Sequence, residues 1–128
     1  MRDLYSNIKT EPAIAPAVQT ANVNGTAVDL KGANRVAFVL NTGAVAGSGV
    51  FSAKIQESDT TTSGDFADVA TSHVDSDAPT TLEAASCYRL GYRGHKRYVR
   101  LVLTRASGTS IAAGAAAVLS DLANRPVA

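Results

Sequence analysis

Apolar and polar residues alternate along short stretches of this chain, which is the pattern of a β-strand with one buried face. The alternation is clearest in residues 34–43 (NRVAFVLNTG), 50–58 (VFSAKIQES) and 96–105 (KRYVRLVLTR). Each stretch places its larger apolar side chains on a single face, which we expect to point into the core. These inward residues are Val36, Phe38, Leu40, Phe51, Ala53, Ile55, Val99, Leu101 and Leu103.

Turn-forming residues separate the predicted strands. Asn24-Gly25 is a strong signal for a two-residue hairpin turn. We also predict a hairpin from residues 87–94 (CYRLGYRG) and 96–105, joined by a tight turn at Gly94. Residues 111–122 (IAAGAAAVLSDL) follow a Ser/Gly turn, which favours a strand, but their alanines favour a helix, so both structures stay open here.

Short strands separated by Gly, Ser and Asp turns predict an all-β chain folded as a single antiparallel β-sandwich. We expect an extended N-terminal arm at residues 1–22, the sandwich domain at 23–122 and an exposed C-terminal tail at 123–128. Pro12 and Pro16 keep the arm extended, because proline fixes its own backbone and restricts the residue before it. The arm is too apolar for a free linker, so we expect it to pack on its own sandwich or on a neighbouring subunit.

Composition limits the stability of this core. The chain has 128 residues, enough for one domain, with 45% hydrophobic residues but only 5% aromatic ones. Alanine and valine bury less area per residue than leucine and phenylalanine, so we expect a modest stability that an oligomer supplements. No stretch approaches the roughly 20 apolar residues of a membrane-spanning helix, and residues 1–20 lack the apolar core of a signal peptide. Membrane insertion and secretion are therefore not expected.

Residues able to carry catalysis are few and scattered. The two histidines, His73 and His95, lie in predicted loops with no nucleophile motif around them. The single cysteine, Cys87, can form no internal disulfide, and we expect a buried structural thiol. One cysteine and two distant histidines do not make a zinc site. We therefore predict that the protein is not an enzyme and has no catalytic, cofactor-binding or metal-binding residues.

Charge falls in two neighbouring blocks of opposite sign, although the net charge is only +1. Between Lys54 and Arg89 there are carboxylates but no Lys or Arg, whereas the basic block from Arg89 to Arg105 has no carboxylate. The two blocks could pair within one subunit, pair between subunits, or stay independently solvated. The residues that we predict for an assembly interface are Arg89, Arg93, Lys96, Arg97, Arg100, Asp59, Asp65 and Asp68.

Two segments resemble a family of small structural proteins from tailed bacteriophages and phage-derived gene transfer agents. They are QESDTTTSGDFADV (residues 56–69) and YRLGYRGHKRYVR (residues 88–100), which are similar to the family's Q-E-S-D…F-x-D-V stretch and its following Y-R-x-G-Y-x-G-x-K-R-Y-V-R hairpin. The opening MRDLYSNI and the later GTSIAAGA extend the resemblance over most of the chain.

This resemblance implies a jelly-roll-like sandwich with a non-enzymatic role in the virion, as a capsid decoration protein or as the base of a head spike or fibre. It also implies a homo-oligomer that binds the major capsid protein, and in some cases a spike or fibre protein. The expected location is the capsid exterior, after synthesis in the bacterial cytoplasm.

A second hypothesis is a β-sandwich binding module that recognises a glycan or an anionic ligand through the basic hairpin 89–105. Tyr92 and Tyr98 flank the basic turn, but the chain has no Trp to serve as a sugar-binding platform. A dedicated DNA-binding domain is normally more basic than this chain, so direct nucleic-acid binding is not expected.

Overall fold

The computed structural model describes residues 4–122, except for the side chains of Ser63, Asp121 and Leu122; the predicted tail at 123–128 lies outside the described residues. This part of the chain consists of β-strands joined by loops and three short 3-10 turns, without an α-helix. The strands are β1 (Lys9–Gln19), β2 (Val23–Asn24), β3 (Val28–Asp29), β4 (Ala33–Ala46), β5 (Val50–Ser58), β6 (Ala67–Asp68), β7 (Val74–Ser76), β8 (Cys87–Tyr92), β9 (Tyr98–Ser107) and β10 (Ser110–Leu122).

The strands form two antiparallel sheets that pack face to face. The first sheet has the order β1-β10-β4-β8-β7. The second has the order β2-β9-β5-β6, and β3 continues the β2 edge along β9. The prediction of an all-β antiparallel sandwich is therefore confirmed.

The order of the strands is that of a jelly roll. If β2 and β3 count as one interrupted strand and β7 as an addition to the edge, eight strands remain. Along the chain the first of these pairs with the eighth, the second with the seventh, the third with the sixth and the fourth with the fifth. Two further pairings, β10 with β4 and β9 with β5, complete the two four-stranded sheets, which is the double Greek-key winding of a jelly roll.

The core lies between the two sheets, and the inward faces predicted from the sequence are confirmed. Phe38 and Leu40 of β4 are completely buried in the same hydrophobic cluster as Phe51 of β5 and Leu101 of β9. Ala53 is partly buried at the margin of the same cluster. Alternation locates these side chains correctly because each of these strands has one face on the core and one face outside.

Residues 111–122, left open between strand and helix, belong to strand β10. This strand lies between β1 and β4, so both of its edges are hydrogen-bonded. Its small side chains fit a crowded position: Ala117 is completely buried, and a Cβ at Gly114 would lie 2.9 Å from Pro16 Cα. Long-range pairing on both edges therefore outweighs the helical preference of alanine.

The segment predicted as an arm, residues 1–22, contributes strand β1 to the first sheet. Lys9–Gln19 pair antiparallel with β10, and the register shifts twice, between Pro12 and Ile14 and between Ile14 and Ala17. Ala13 and Ile14 are both buried at the first shift, so the segment packs on its own sandwich.

The prediction of a hairpin from residues 87–94 and 96–105 is wrong. β8 pairs with β4 and β7 in the first sheet, whereas β9 pairs with β5 and with β2 and β3 in the second. Residues 93–97 instead cross between the sheets: the Arg93 amide donates to His73 O (2.7 Å), and Arg97 O accepts from the Leu30 amide (2.8 Å). Alternation identifies each strand, but it carries no information about which edge finds which partner.

Asn24-Gly25 is likewise not a hairpin turn, because β2 and β3 run along the same partner strand. The Gly25 amide donates to Leu101 O at 2.8 Å, and the neighbouring Thr26 amide donates to Ala13 O at 2.8 Å. A Cβ at position 25 would lie only 2.4 Å from Leu101 O and 2.6 Å from Ala13 O. Glycine is needed here because backbone from both sheets approaches this position, and not because the chain reverses.

We expect Gly25→Ala to lower the free energy of unfolding by about 1–3 kcal/mol, because the added methyl overpacks a position enclosed by backbone. Gly91→Ala in β8 is the matched control, since its Cβ would meet Asp75 at an ordinary distance of 3.8 Å. Urea denaturation of both variants tests this. Equal midpoints would show that the backbone at position 25 moves aside freely.

Candidate interaction surface

The basic block lies across three elements: β8, which carries Arg89, the crossing segment 93–97, and β9, which carries Arg100 and Arg105. The acidic block lies beside it on β6, β7 and the loops that flank them. The jelly-roll winding brings the two blocks together, since β7 pairs with β8 and β5 pairs with both β6 and β9.

At the outer edge of the first sheet, two arginines of the basic block pair with carboxylates of β7 and the residue after it. Arg93 Nε lies 3.0 Å from Asp75 Oδ2, and Arg89 Nε lies 3.5 Å from Asp77 Oδ2. Asp77 also accepts the Arg89 amide at 2.7 Å, and this backbone hydrogen bond is the main reason why the pKa of Asp77 lies below its usual value. All four side chains are well exposed, so each pair contributes little to stability.

The crossing segment supplies two more pairs. Arg97 holds Asp29 of β3 with a bidentate fork, in which Nε and Nη2 each donate at 2.9 Å to a different carboxylate oxygen. The side-chain hydrogen bonds from Arg97 lower the pKa of Asp29 to about 2. Lys96 Nζ donates to Asp59 Oδ2 at 2.8 Å, and this bond raises the pKa of Lys96. The segment is thereby fixed to both the β3 edge and the loop after β5.

Tyr92 supports this segment from below. Its ring is buried, its hydroxyl donates to Glu57 Oε2 at 3.3 Å, and the same hydroxyl accepts the Lys96 amide at 3.0 Å. Burial is the main reason why the pKa of Tyr92 is raised. A Cβ at Gly94 would lie within 2.6 Å of the Tyr92 ring and hydroxyl, so the segment can close over the ring only with glycine at this position.

Arg100 differs from the other cations because it is buried on the outer face of the second sheet. Its Nε and Nη2 donate to Gln56 Oε1 at 2.9 and 2.7 Å, and its guanidinium carbon lies 4.4 Å from the centre of the Phe66 ring. Gln56 in turn donates to Asp68 at 2.9 Å, and this bond, followed by the one from Lys54, lowers the pKa of Asp68. The alternation in the sequence predicts that Arg100 lies on the outer face of its strand. It does not predict that Arg100 is buried, because the ring that covers it, Phe66, belongs to a loop.

The structure thus places the predicted interface residues in two groups. Arg89, Arg93, Lys96 and Arg97 pair with carboxylates of their own chain, whereas Arg100 and Asp68 belong to the polar network around Gln56. Asp65 pairs with neither group and accepts a hydrogen bond from Thr60 Oγ1 at 2.7 Å. Pairing within one subunit is therefore the arrangement observed, and the role of these residues in assembly stays a prediction.

The other candidate groups, Cys87, His73 and His95, lie on three different elements. Cys87 is exposed and not buried as expected, because β8 turns Tyr88 and Leu90 inward and Cys87 outward. His73 lies in a short 3-10 turn before β7, and His95 is exposed in the crossing segment. Among residues 4–122, the structure shows no cluster of His, Cys, Asp or Glu arranged to hold a metal ion.

The outer face of the first sheet carries a groove of about 720 Å³, which we call the alanine groove and which the sequence pattern does not predict. Its floor is formed by Ala112, Gly114 and Ala116 of β10, and its walls include Val18 of β1 and Val39 of β4. The register explains the groove, since β10 contributes small side chains between two strands that carry larger ones. The sequence could not predict this groove, because the secondary structure of the alanine-rich residues 111–122 stays open at that level.

No protein-family model matches the chain, and no curated protein matches it. Among solved structures, it is similar to a chain in the structure of the Gx strain of infectious bursal disease virus, with 16% sequence identity and a TM-score of 0.40. The match covers 92% of this chain but 34% of that chain, so this chain spans about a third of its length. A likeness at this level establishes neither a family nor a function. Within residues 4–122, no helix has the length and apolar character needed to cross a membrane.

The Asp29–Arg97 fork predicts a measurable pH dependence. Because the folded pKa of Asp29, about 2, lies below its ordinary value of 3.8, the pair stabilises the fold above pH 4, and this contribution is lost as the pH falls towards 2. In a carboxyl-carbon NMR titration we expect Asp29 to titrate near 2, and near its ordinary value in Arg97→Gln. The control Arg93→Gln removes a different ion pair, the one with Asp75, and should leave the pKa of Asp29 unchanged. An ordinary titration of Asp29 in the unmodified chain would contradict the fork.

Burial of Arg100 predicts a larger loss of stability than at any exposed cation of the block. Arg100→Ala should lower the free energy of unfolding by about 2–3 kcal/mol, because it removes charge-assisted hydrogen bonds to Gln56 and the contact with Phe66. Arg93→Ala, the exposed control, should change it by less than about 1 kcal/mol. If urea denaturation shows similar losses for Arg100→Ala and Arg93→Ala, the network around Gln56 adds no stability beyond that of an exposed ion pair.

Proposed function

We propose that this protein is a non-enzymatic structural component of the head of a tailed phage or a phage-derived gene transfer agent. The observation that carries the proposal is the jelly-roll winding, an architecture found in viral capsid domains and in lectins. The sequence resemblance to small head proteins covers most of the chain and favours the first of these two classes. A fold alone does not define a function, so the resemblance supplies the choice.

Within that role, the protein acts as a decoration protein or as the base of a head spike or fibre. Its partners are the major capsid protein and, in the second case, a spike or fibre protein. The proposed location is the capsid exterior, reached after synthesis in the bacterial cytoplasm. Two cations that could otherwise bind a soluble anion, Arg97 and Lys96, are paired with Asp29 and Asp59 of the same chain.

The alternative, an anion-binding or glycan-binding module at residues 89–105, is disfavoured by the geometry. An anion would have to displace carboxylates that already hold Arg89, Arg93, Lys96 and Arg97. The two tyrosines are also poorly placed to bind a sugar. Tyr92 is buried, and the Arg97 guanidinium lies over the Tyr98 ring, 5.0 Å from its centre.

The proposal predicts that the chain is found in purified particles. We expect quantitative mass spectrometry of density-gradient particles to find it at a constant ratio to the major capsid protein, and cryo-electron microscopy to place it on the outer surface. A chain that stays in the soluble fraction of the producing cells would contradict the proposed function.

The ion pairs predict the outcome of a nucleic-acid assay. The unmodified chain should not bind duplex DNA in fluorescence anisotropy. A variant with Asp29, Asp59, Asp75 and Asp77 replaced by Asn releases four cations, and any binding that it gains should weaken about a hundredfold between about 50 and about 200 mM salt. Salt-sensitive DNA binding by the unmodified chain would favour the anion-binding alternative instead.

A further inference from the structure

The large hydrophobic side chains that are exposed in the described part of the chain lie at the two ends of β1. Leu4 and Tyr5, just before the strand, are 67% and 86% exposed, and Val18, near its end, is 64% exposed. Val18 lines the alanine groove, whereas Leu4 and Tyr5 precede the opposite end of the same strand. One end of the first sheet therefore carries a projecting apolar pair and the other end carries an apolar recess.

We propose that Leu4 and Tyr5 of one copy dock in the alanine groove of a second copy of this chain. The two surfaces match in charge, because residues 4–8 (LYSNI) and the residues lining the groove are all uncharged. Contact between them therefore removes no ionic group from water. The groove has a volume of about 720 Å³ and is lined by small residues such as Ala112 and Ala116, so it has room for side chains of the size of Tyr and Leu.

The area available shows that a single docked contact is not enough for a stable assembly. A stable interface of standard size buries about 800 Å² on each partner, about a tenth of the surface of a small protein. A tyrosine buries only about 150–250 Å², so one docked pair is too small for a lasting dimer. The donor and the groove lie at opposite ends of the first sheet, so every copy can use both of its surfaces. Each copy then makes two contacts, either reciprocally in a two-fold dimer or head-to-tail in a ring, and the two together supply the stability that one contact lacks.

Edge-to-edge strand pairing is a poor competitor for this contact. The free edge of β1 contains Pro12 and Pro16, which lack the amide hydrogen that a partner strand needs. The opposite edge of the same sheet is β7, which has only three residues. The edges of the first sheet therefore offer little for another sheet to extend, and the side-chain contact at its outer face remains.

Site-specific cross-linking tests the contact directly. In a Cys87→Ser background, which removes the single cysteine, we would make Asn7→Cys, beside the docking pair, and Asn41→Cys, at the groove, separately and mix them before adding a short bismaleimide. Both positions are exposed, and both variants keep Leu4, Tyr5 and Val18, so a contact between the two surfaces predicts that the mixed dimer exceeds either homodimer by about tenfold or more. An Asn7→Cys and Lys31→Cys mixture is the control, because Lys31 is exposed but lies outside the groove. Dominant homodimers, or equal cross-linking with Lys31→Cys, would overturn the proposal.

Light scattering of the unmodified protein and two variants gives the second measurement. Tyr5→Ser and Val18→Asp change exposed side chains and should fold normally, and each should weaken association by about tenfold or more. A protein that remains monomeric at all accessible concentrations would overturn the proposal and would leave the groove to a different protein. That result is separate from the particle experiment, since a monomer can still be found on the capsid.

Discussion

The first sheet depends on the pairing of β10 with strands on both of its sides. β10 is the strand that joins β1 to β4, and without it the arm segment would have no strand to pair with in the first sheet. Its inward alanines fill the narrow space beneath the first sheet, and its outward Ala and Gly residues form the floor of the groove. One strand of small residues thus determines both the packing inside the sheet and the shape of its outer surface.

The opposite charge blocks are brought together by the same winding. Residues that are separated along the chain, such as Asp29 and Arg97, become neighbours because β3 and β9 pair. The resulting ion pairs are mostly exposed, so their effect on stability is small, but they fix the path of the crossing segment. A sequence feature that resembles an anion-binding patch thereby becomes a means of holding one corner between two sheets.

Much of the fold follows from the sequence, and the remainder follows from pairing that the sequence pattern does not record. Alternation identifies β4, β5 and β9 and their inward residues, because each has one dry face and one wet face. It fails at Gly25 and at residues 93–97, where turn-like residues serve close backbone approach and a crossing between sheets. The sequence predicts the site in part: it identifies the charged residues, but several of their partners are set by strand pairing, and the burial of Arg100 depends on a loop. The alanine groove could not be predicted from the sequence, because its shape depends on the register between β1, β10 and β4.

The pairing of β1 with β10 also has a consequence during protein synthesis. Lys9 aligns with Leu119, so β1 emerges from the ribosome long before its partner exists. At about 5–20 residues per second, the wait is roughly 5 to 20 seconds, during which an apolar strand is exposed in the cell. Pro12 and Pro16 limit aggregation during this time. Because proline has no amide hydrogen, these two residues weaken the backbone pairing of the unfinished strand with other nascent chains. The same two residues can thus guard the newborn polypeptide against aggregation before they shape the edge of the finished sheet.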